Sequence, residues 1–137
     1  MRDHLNTLES LYQEAVDRGI MVTSFSMPTA IAASVLVGGR GYIGIDRSQL
    51  ATSREESECL AHEMGHLSTG SLYAIGERGR KRAERRAEEW AIKRLVSRER
   101  FAAACRGGCS EVWQFAEALG ISYPFAEKVV SYYLGAK

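Results

Sequence analysis

His62-Glu63-Met64-Gly65-His66 is the stretch whose residue types and spacing can do chemistry. On a helix, residues i and i+4 project from one face on adjacent turns. Two imidazoles so placed can grip one cation. Glu63 follows His62 directly, so its carboxylate can reach a water beside that cation without occupying a ligand position. Neutral imidazoles with a carboxylate suit zinc, which lowers the pKa of its water towards neutrality. Glu63 is then expected to take the proton from that water and hand it to a leaving amine. The chain has only three histidines, and two fall in this pentapeptide. That concentration weighs against a metal-free His-Glu-His stripe on the surface.

A catalytic zinc takes three protein ligands and keeps a position open. The remaining histidine, His4, lies in an N-terminal helical pattern, and no spacing recommends it. A metzincin tail needs Gly at position 69 and His at position 72; Thr69 and Leu72 exclude that class. The third ligand is therefore sought among Glu84, Glu88 and Glu89, in the next long helical pattern. Glu84 and Glu88 are four apart and share a face with Ala87 and Ala91, whose small side chains allow close helix approach. Glu84 is expected to bind the metal, and Glu88 to accept a hydrogen bond from a ligand imidazole and so fix its tautomer. The reverse assignment stays open. Glu89 points about 100° away from Glu88 and is expected to face solvent. The competing reading of all three is a solvated face, with i,i+4 ion pairs to Arg85, Lys93 or Arg94.

The elements around these residues follow from periodicity and caps. Leu5, Leu8, Leu11, Tyr12, Ala15 and Val16 keep helical spacing, and Gly19 stops the helix. Ile20 to Phe25 alternates as a short strand, and Pro28 to Ala32 reads as one helical turn. Ala33 to Val37 and Tyr42 to Asp46 are strand-like runs joined by Gly38-Gly39-Arg40-Gly41, a hairpin signal. Thr52 with Glu55, and Ser53 with Glu56, have capping-box spacing, so the motif helix starts there. It should fade at Ser68 to Gly70. A charged helix follows to about Ser97, then a short helix over Phe101 to Arg106. Two more helices, capped by Ser110 and Ser122, end at Gly120 and Leu134. The predicted class is α+β: a small three-stranded sheet packed on a helical core. Residues 1–97 are expected to form that core, with 98–137 a C-terminal helical extension packed on it.

Composition limits the alternatives. The chain has 137 residues, 45% hydrophobic and 26% charged, which is ordinary globular usage for one domain. Lys and Arg number 18 against 17 Asp and Glu, a net charge of +1. That balance argues against a protein whose main work is coating nucleic acid or an anionic membrane. No apolar run approaches the roughly 18 residues of a membrane span. The charged start lacks the apolar region of a signal peptide, which predicts a cytoplasmic address. Cys59, Cys105 and Cys109 are an odd set and read as free thiols.

His62-Glu63-Met64-Gly65-His66, followed by Glu84-Arg85-Arg86-Ala87-Glu88-Glu89-Trp90-Ala91, resembles the ImmA/IrrE family of metallopeptidases. Those proteins show H-E-x-G-H and then E-x-x-A-(N or D)-x-(F or W)-A. The resemblance spans roughly residues 5 to 97, including an Ile-Gly-Ile-Asp strand before the motif helix. It implies a gluzincin-like, zincin-like core with Zn2+ held by His62, His66 and Glu84, and Glu63 as general base. Glu88 stands where the family has Asn or Asp. Family members of known role cut helix-turn-helix repressors. The resemblance thus implies a bacterial or phage hydrolase, a protease of regulatory purpose in mobile elements. Its partner would be a transcriptional repressor, cut by Glu63-assisted attack of zinc-bound water.

The strand Tyr42 to Asp46 directly precedes the motif helix. If it is the sheet edge facing the zinc, Tyr42, Ile43, Gly44 and Ile45 would bind an extended substrate as an added strand. Tyr73, Arg78 and Arg80 lie downstream and could approach an oxyanion, but spacing does not choose among them. Glu77 to Arg94 holds eight Lys or Arg and four Glu. A nucleic-acid face is possible there; a solvated face with interspersed carboxylates is the preferred reading, so no direct nucleic-acid contact is expected. The rival function is a DNA- or protein-binding regulatory module with a structural or vestigial metal. Ala116, Gly120, Ile121, Ala126 and Val129 fit helix-turn-helix spacing. Residues 110–137 carry three Glu and two Lys, however, a poor charge for reading DNA.

Overall fold

The computed structural model describes residues 2–70 and 76–135, with the backbone alone for residues 2–6. Six helices and a three-stranded mixed sheet give an α+β fold among these residues. The helices are α1 (Arg2–Asp17), α2 (Ser53–Thr69), α3 (Gly76–Leu95), α4 (Arg98–Arg106), α5 (Val112–Leu119) and α6 (Tyr123–Leu134). The strands are β1 (Met21–Ser24), β2 (Ala32–Val37) and β3 (Arg40–Ile45). No described helix is long and apolar enough to cross a membrane.

β3 alternates buried Gly41, Ile43 and Ile45 with half-buried Tyr42 and Gly44, and it occupies the middle of the sheet. β1 runs parallel to it and β2 antiparallel, with Met21 and Val35 flanking Tyr42. The hairpin link is tighter than the four residues expected. Gly38 and Gly39 alone make the turn, at φ 57 and 82, the two left-handed positions of a type I′ turn. Arg40 and Gly41 therefore join β3.

This topology corrects one expectation. Tyr42, Ile43, Gly44 and Ile45 cannot receive a substrate strand, because β3 is paired on both sides. Adjacency to the motif helix in sequence did not reveal that β1 would return in parallel along the far side. The strand beside α2 with an outer edge unpaired among the described residues is β2.

The expected helical turn over Pro28 to Ala32 is absent as well. The loop is held by side chains instead: the Met27 N–H donates to Asp46 Oδ2 at 2.9 Å, and Gln49 Nε2 donates to the Met27 and Ala30 carbonyls at 3.0 Å each. These bonds satisfy backbone groups that a helical turn would have paired internally. Asp46 also accepts from Ser48 and Gln49. Its carboxyl is held down from 3.8 to about 2, first by the Gln49 amide and then by the Met27 N–H. A folded pKa below the unfolded one stabilises the fold above the unfolded value, and that contribution is lost as pH falls through about 2. Asp46→Asn should therefore melt below the parent near neutral pH, and the gap should close between about pH 4 and pH 2. Thermal melts across that range test it; a constant gap contradicts it.

α2 begins where Thr52 Oγ1 accepts the Glu55 N–H at 3.1 Å and Glu55 Oε1 accepts the Ala51 N–H at 2.7 Å. Of the two overlapping boxes only half of the first forms, since Glu55 takes the N–H of Ala51 rather than that of the cap Thr52, and Glu56 bonds Tyr12 and Arg47 instead. The helix ends at Gly70, φ 67. Ser97 caps α4, which starts at Arg98, three residues before the predicted Phe101. Glu111, rather than Ser110, caps α5, because the Gln114 amide oxygen accepts the N–H of both residues. Ser122 caps α6 as expected. One continuous core runs from Leu11 through Ile43, Leu60, Met64 and Ile92 to Phe101, Phe115 and Val129, joining the two segments 1–97 and 98–135. Phe101 stacks on Phe115 and Tyr133, each at 5.0 Å between ring centres.

Candidate metal centre

α2 turns Leu60, Ala61 and Met64 into the core, which leaves His62 and His66 on the flank facing α3. The two helices meet closely. A Cβ built on Gly65 would stand 2.6 Å from the Ala87 carbonyl oxygen and 3.0 Å from its Cα. Only hydrogen fits there, and Ala83, Ala87 and Ala91 keep the opposing face of α3 shallow and buried. The chain thus brings α3 near enough for a carboxylate to span two imidazoles.

Glu84 does so. Its Oε1 lies 2.9 Å from His62 Nε2, and its Oε2 lies 2.8 Å from His66 Nε2. The two rings stand edge to face, 5.0 Å apart at 80°. One ligand atom from each of the three residues lies within 4.8 Å of the others, so the set could hold a metal ion. Two donors bound to one tetrahedral zinc at 2.0–2.1 Å stand about 3.3 Å apart. The observed contacts are a few tenths of an ångström tighter, so a small parting of the side chains would admit the ion. Two imidazoles with one carboxylate is also a donor set that zinc accepts in catalytic sites.

Glu63 is 9% exposed, and Ser34 Oγ donates to its Oε1 at 2.8 Å. Ser34 reaches it from β2, so the sheet edge and the helix hold this carboxylate together. Glu63 lines a cleft of about 450 Å³ with His62, Glu84 and Glu88. Ile31 and Ala32 form one wall, and Pro124, Phe125 and Lys128 of α6 form the other. Glu88 lies one turn beyond Glu84, its Oε2 3.3 Å from Lys128 Nζ. Glu89, expected to face solvent, is half-buried and lines a groove between α3 and α6 that continues from the cleft.

α6 is fixed beside the site by Glu58, one turn before His62. Its carboxylate accepts the Ser122 N–H at 2.7 Å and the Ser122 hydroxyl at 2.6 Å. Burial pushes the Glu58 carboxyl above its usual range even so. Cys59 also lines the cleft; burial, reinforced by the charges of Glu63 and Glu56, pushes its thiol up to about 12, so it stays neutral. Cys105 is exposed, Cys109 is half-buried, and neither joins a metal-ligand cluster among the described residues.

Sequence reasoning gave no role in the site to Ser34, which bonds Glu63, or to three residues of α6 that line the cleft, Pro124, Phe125 and Lys128. Ser34 carried a signal, being the single hydroxyl in the strand Ala-Ala-Ser-Val-Leu-Val. The other three carried none, since nothing local says that α6 folds back over α2 and α3. α5 and α6 do form a helical hairpin about Gly120, φ 69. Its second helix buries Phe125, Ala126 and Val129 and points Lys128 at Glu88. Tyr73 lies outside the described residues, as does the side chain of His4; Arg78 and Arg80 are exposed on the first turns of α3. No protein-family model matches the chain, and no curated protein matches it.

Proposed function

We propose that this chain is a zinc-dependent endopeptidase with a zincin-like core, of the ImmA/IrrE kind, that cuts a specific helix-turn-helix repressor in the cytoplasm. One observation carries the chemistry: a single carboxylate from α3 spans both imidazoles of α2 while a second, buried carboxylate stands on the same helix in the same cleft. A structural metal needs no such second acid. The repressor as target rests on the resemblance alone.

His62, His66 and Glu84 would hold the zinc, which supplies Lewis acidity towards a carbonyl oxygen and towards water. Glu63 takes the proton from the attacking water and delivers it to the leaving amine nitrogen. Ser34 occupies one oxygen of Glu63 and leaves the other to receive that proton. Because Ser34 lies on β2, a peptide added antiparallel to the outer edge of that strand would run past Glu63, held by backbone hydrogen bonds. Phe125 and Pro124 offer an apolar wall to its side chains. Glu88, tied to Lys128, keeps α6 at the mouth of the cleft.

Zinc titration followed by calorimetry and elemental analysis tests the centre. The parent should take up one zinc per chain, and His62→Ala or Glu84→Ala should abolish stoichiometric uptake while leaving the circular-dichroism spectrum unchanged. A parent chain that binds no zinc ends this reading.

A further inference from the structure

The even net charge conceals a strongly basic pole. Residues 76–86, the first half of α3, carry six Lys or Arg and two Glu; the rest of the chain carries twelve against fifteen. Arg78, Lys81, Arg82, Arg85 and Arg86 are all exposed, and none has an ion pair or side-chain hydrogen bond among the described residues. At 100° and 1.5 Å per residue they cover an arc of about 140° over about 12 Å of helix. That arc lies opposite the buried alanines Ala83 and Ala87.

Two of the four α3 carboxylates are engaged elsewhere, and the other two, Glu77 and Glu89, make no ion pair with the stripe among the described residues although Glu89 lies on its arc. Glu84 faces the two imidazoles, and Glu88 pairs with Lys128. Among the later cations of α3, Arg94 is bound to Glu14. The first half of this helix therefore keeps five cations without an ion pair among the described residues. Five unneutralised cations repel one another, and an anion laid along them relieves that repulsion.

We propose that this stripe docks the phosphate backbone of a nucleic acid, without reading its sequence. Four of the five cations are arginines, whose planar forks bond phosphate oxygens in pairs. The stripe carries no exposed aromatic or aliphatic anchor of the kind that dominates protein–protein interfaces. Trp90, one turn on, is half-buried beneath Arg18. Glu84 sits about 130° round the helix from the centre of the stripe and about 60° from its nearer edge at Lys81, so a docked duplex lies beside the cleft. The inference does not depend on the peptidase reading; if both hold, docking brings the cleft to proteins that are themselves bound to nucleic acid.

Fluorescence anisotropy with a short random-sequence DNA duplex tests this on the full chain. Three to five phosphate contacts predict a roughly 50- to 500-fold loss of affinity between about 50 and 200 mM salt. Each single change, such as Arg82→Gln or Arg85→Gln, should lower the log–log salt slope by about 1. The fivefold Gln variant should bind at least about 100-fold more weakly at the lowest salt. Arg98→Gln, on α4, should change nothing. All positions are exposed, and melting curves check that the variants fold; the single variants keep the test decisive if the fivefold one does not. No binding at low salt, or unchanged binding by the single variants, overturns the proposal. So does polyglutamate binding more tightly than DNA at equal charge, which would assign the stripe to an acidic protein.

Discussion

Glu63→Gln should lower peptide-bond cleavage by about 10²- to 10⁴-fold while zinc uptake and melting temperature stay at parent values. The expectation follows from what the substitution changes. Gln has the same shape, and its amide oxygen can still accept the Ser34 hydroxyl that now bonds Glu63 Oε1 at 2.8 Å. The packing of this 9%-exposed side chain is therefore retained. What is lost is the group that accepts a proton. Neither imidazole is touched, and Glu84 still spans both. Cleavage of a quenched-fluorescence peptide library, read beside zinc content, separates the two roles that a metal can have. Lost cleavage with retained zinc is the result expected of a hydrolase. Undiminished cleavage by Glu63→Gln would remove Glu63 from the mechanism, and a parent that binds zinc yet cleaves nothing would favour the structural-metal alternative.

A second large effect is expected at a residue with no chemistry of its own. Gly65→Ala places a methyl group 2.6 Å from the Ala87 carbonyl oxygen and 3.2 Å from its carbonyl carbon. These are backbone atoms, so no rotamer change can relieve the clash; α2 and α3 must part. Overpacking of this sort costs about 1–3 kcal/mol, which corresponds to a drop of roughly 3–10 °C in melting temperature for a domain of this size. The parting also moves Glu84, one turn before Ala87, away from the imidazoles it now meets at 2.8 and 2.9 Å. Zinc should bind about 10- to 100-fold more weakly, the range seen when groups that orient metal ligands are disturbed. Calorimetric titration and thermal melts measure both effects. A Gly65→Ala protein with parental stability and affinity would mean that the helix contact does not set the site.

The pentapeptide was legible because its geometry is local. Once Thr52 and Glu55 start a helix, four-residue spacing puts His62 and His66 on one face, whatever the rest of the chain does. The hairpin, the caps at Thr52 and Ser122, and the stops at Gly70 and Gly120 are local in the same sense. Even Glu84 could be narrowed down, since alanines three and seven residues later mark the face of a helix that packs closely. Misreadings arose where side chains replaced local backbone bonds, as at the loop tied by Asp46 and Gln49 and at the α5 cap set by Gln114.

Tertiary structure decided which strand lies in the middle of the sheet, that Ser34 reaches Glu63 across 29 positions, and that α6 walls the cleft. It also decided that Glu84 meets the two imidazoles and Glu88 meets Lys128 rather than the cations of their own helix. The physical reason is range. Periodicity and capping act over about four residues, whereas strand order and helix docking are set by how buried surfaces fit together over the whole core. A charge count cannot show that Glu84 and Glu88 have turned from their neighbours, because the groups they meet are 18 to 40 residues away in sequence.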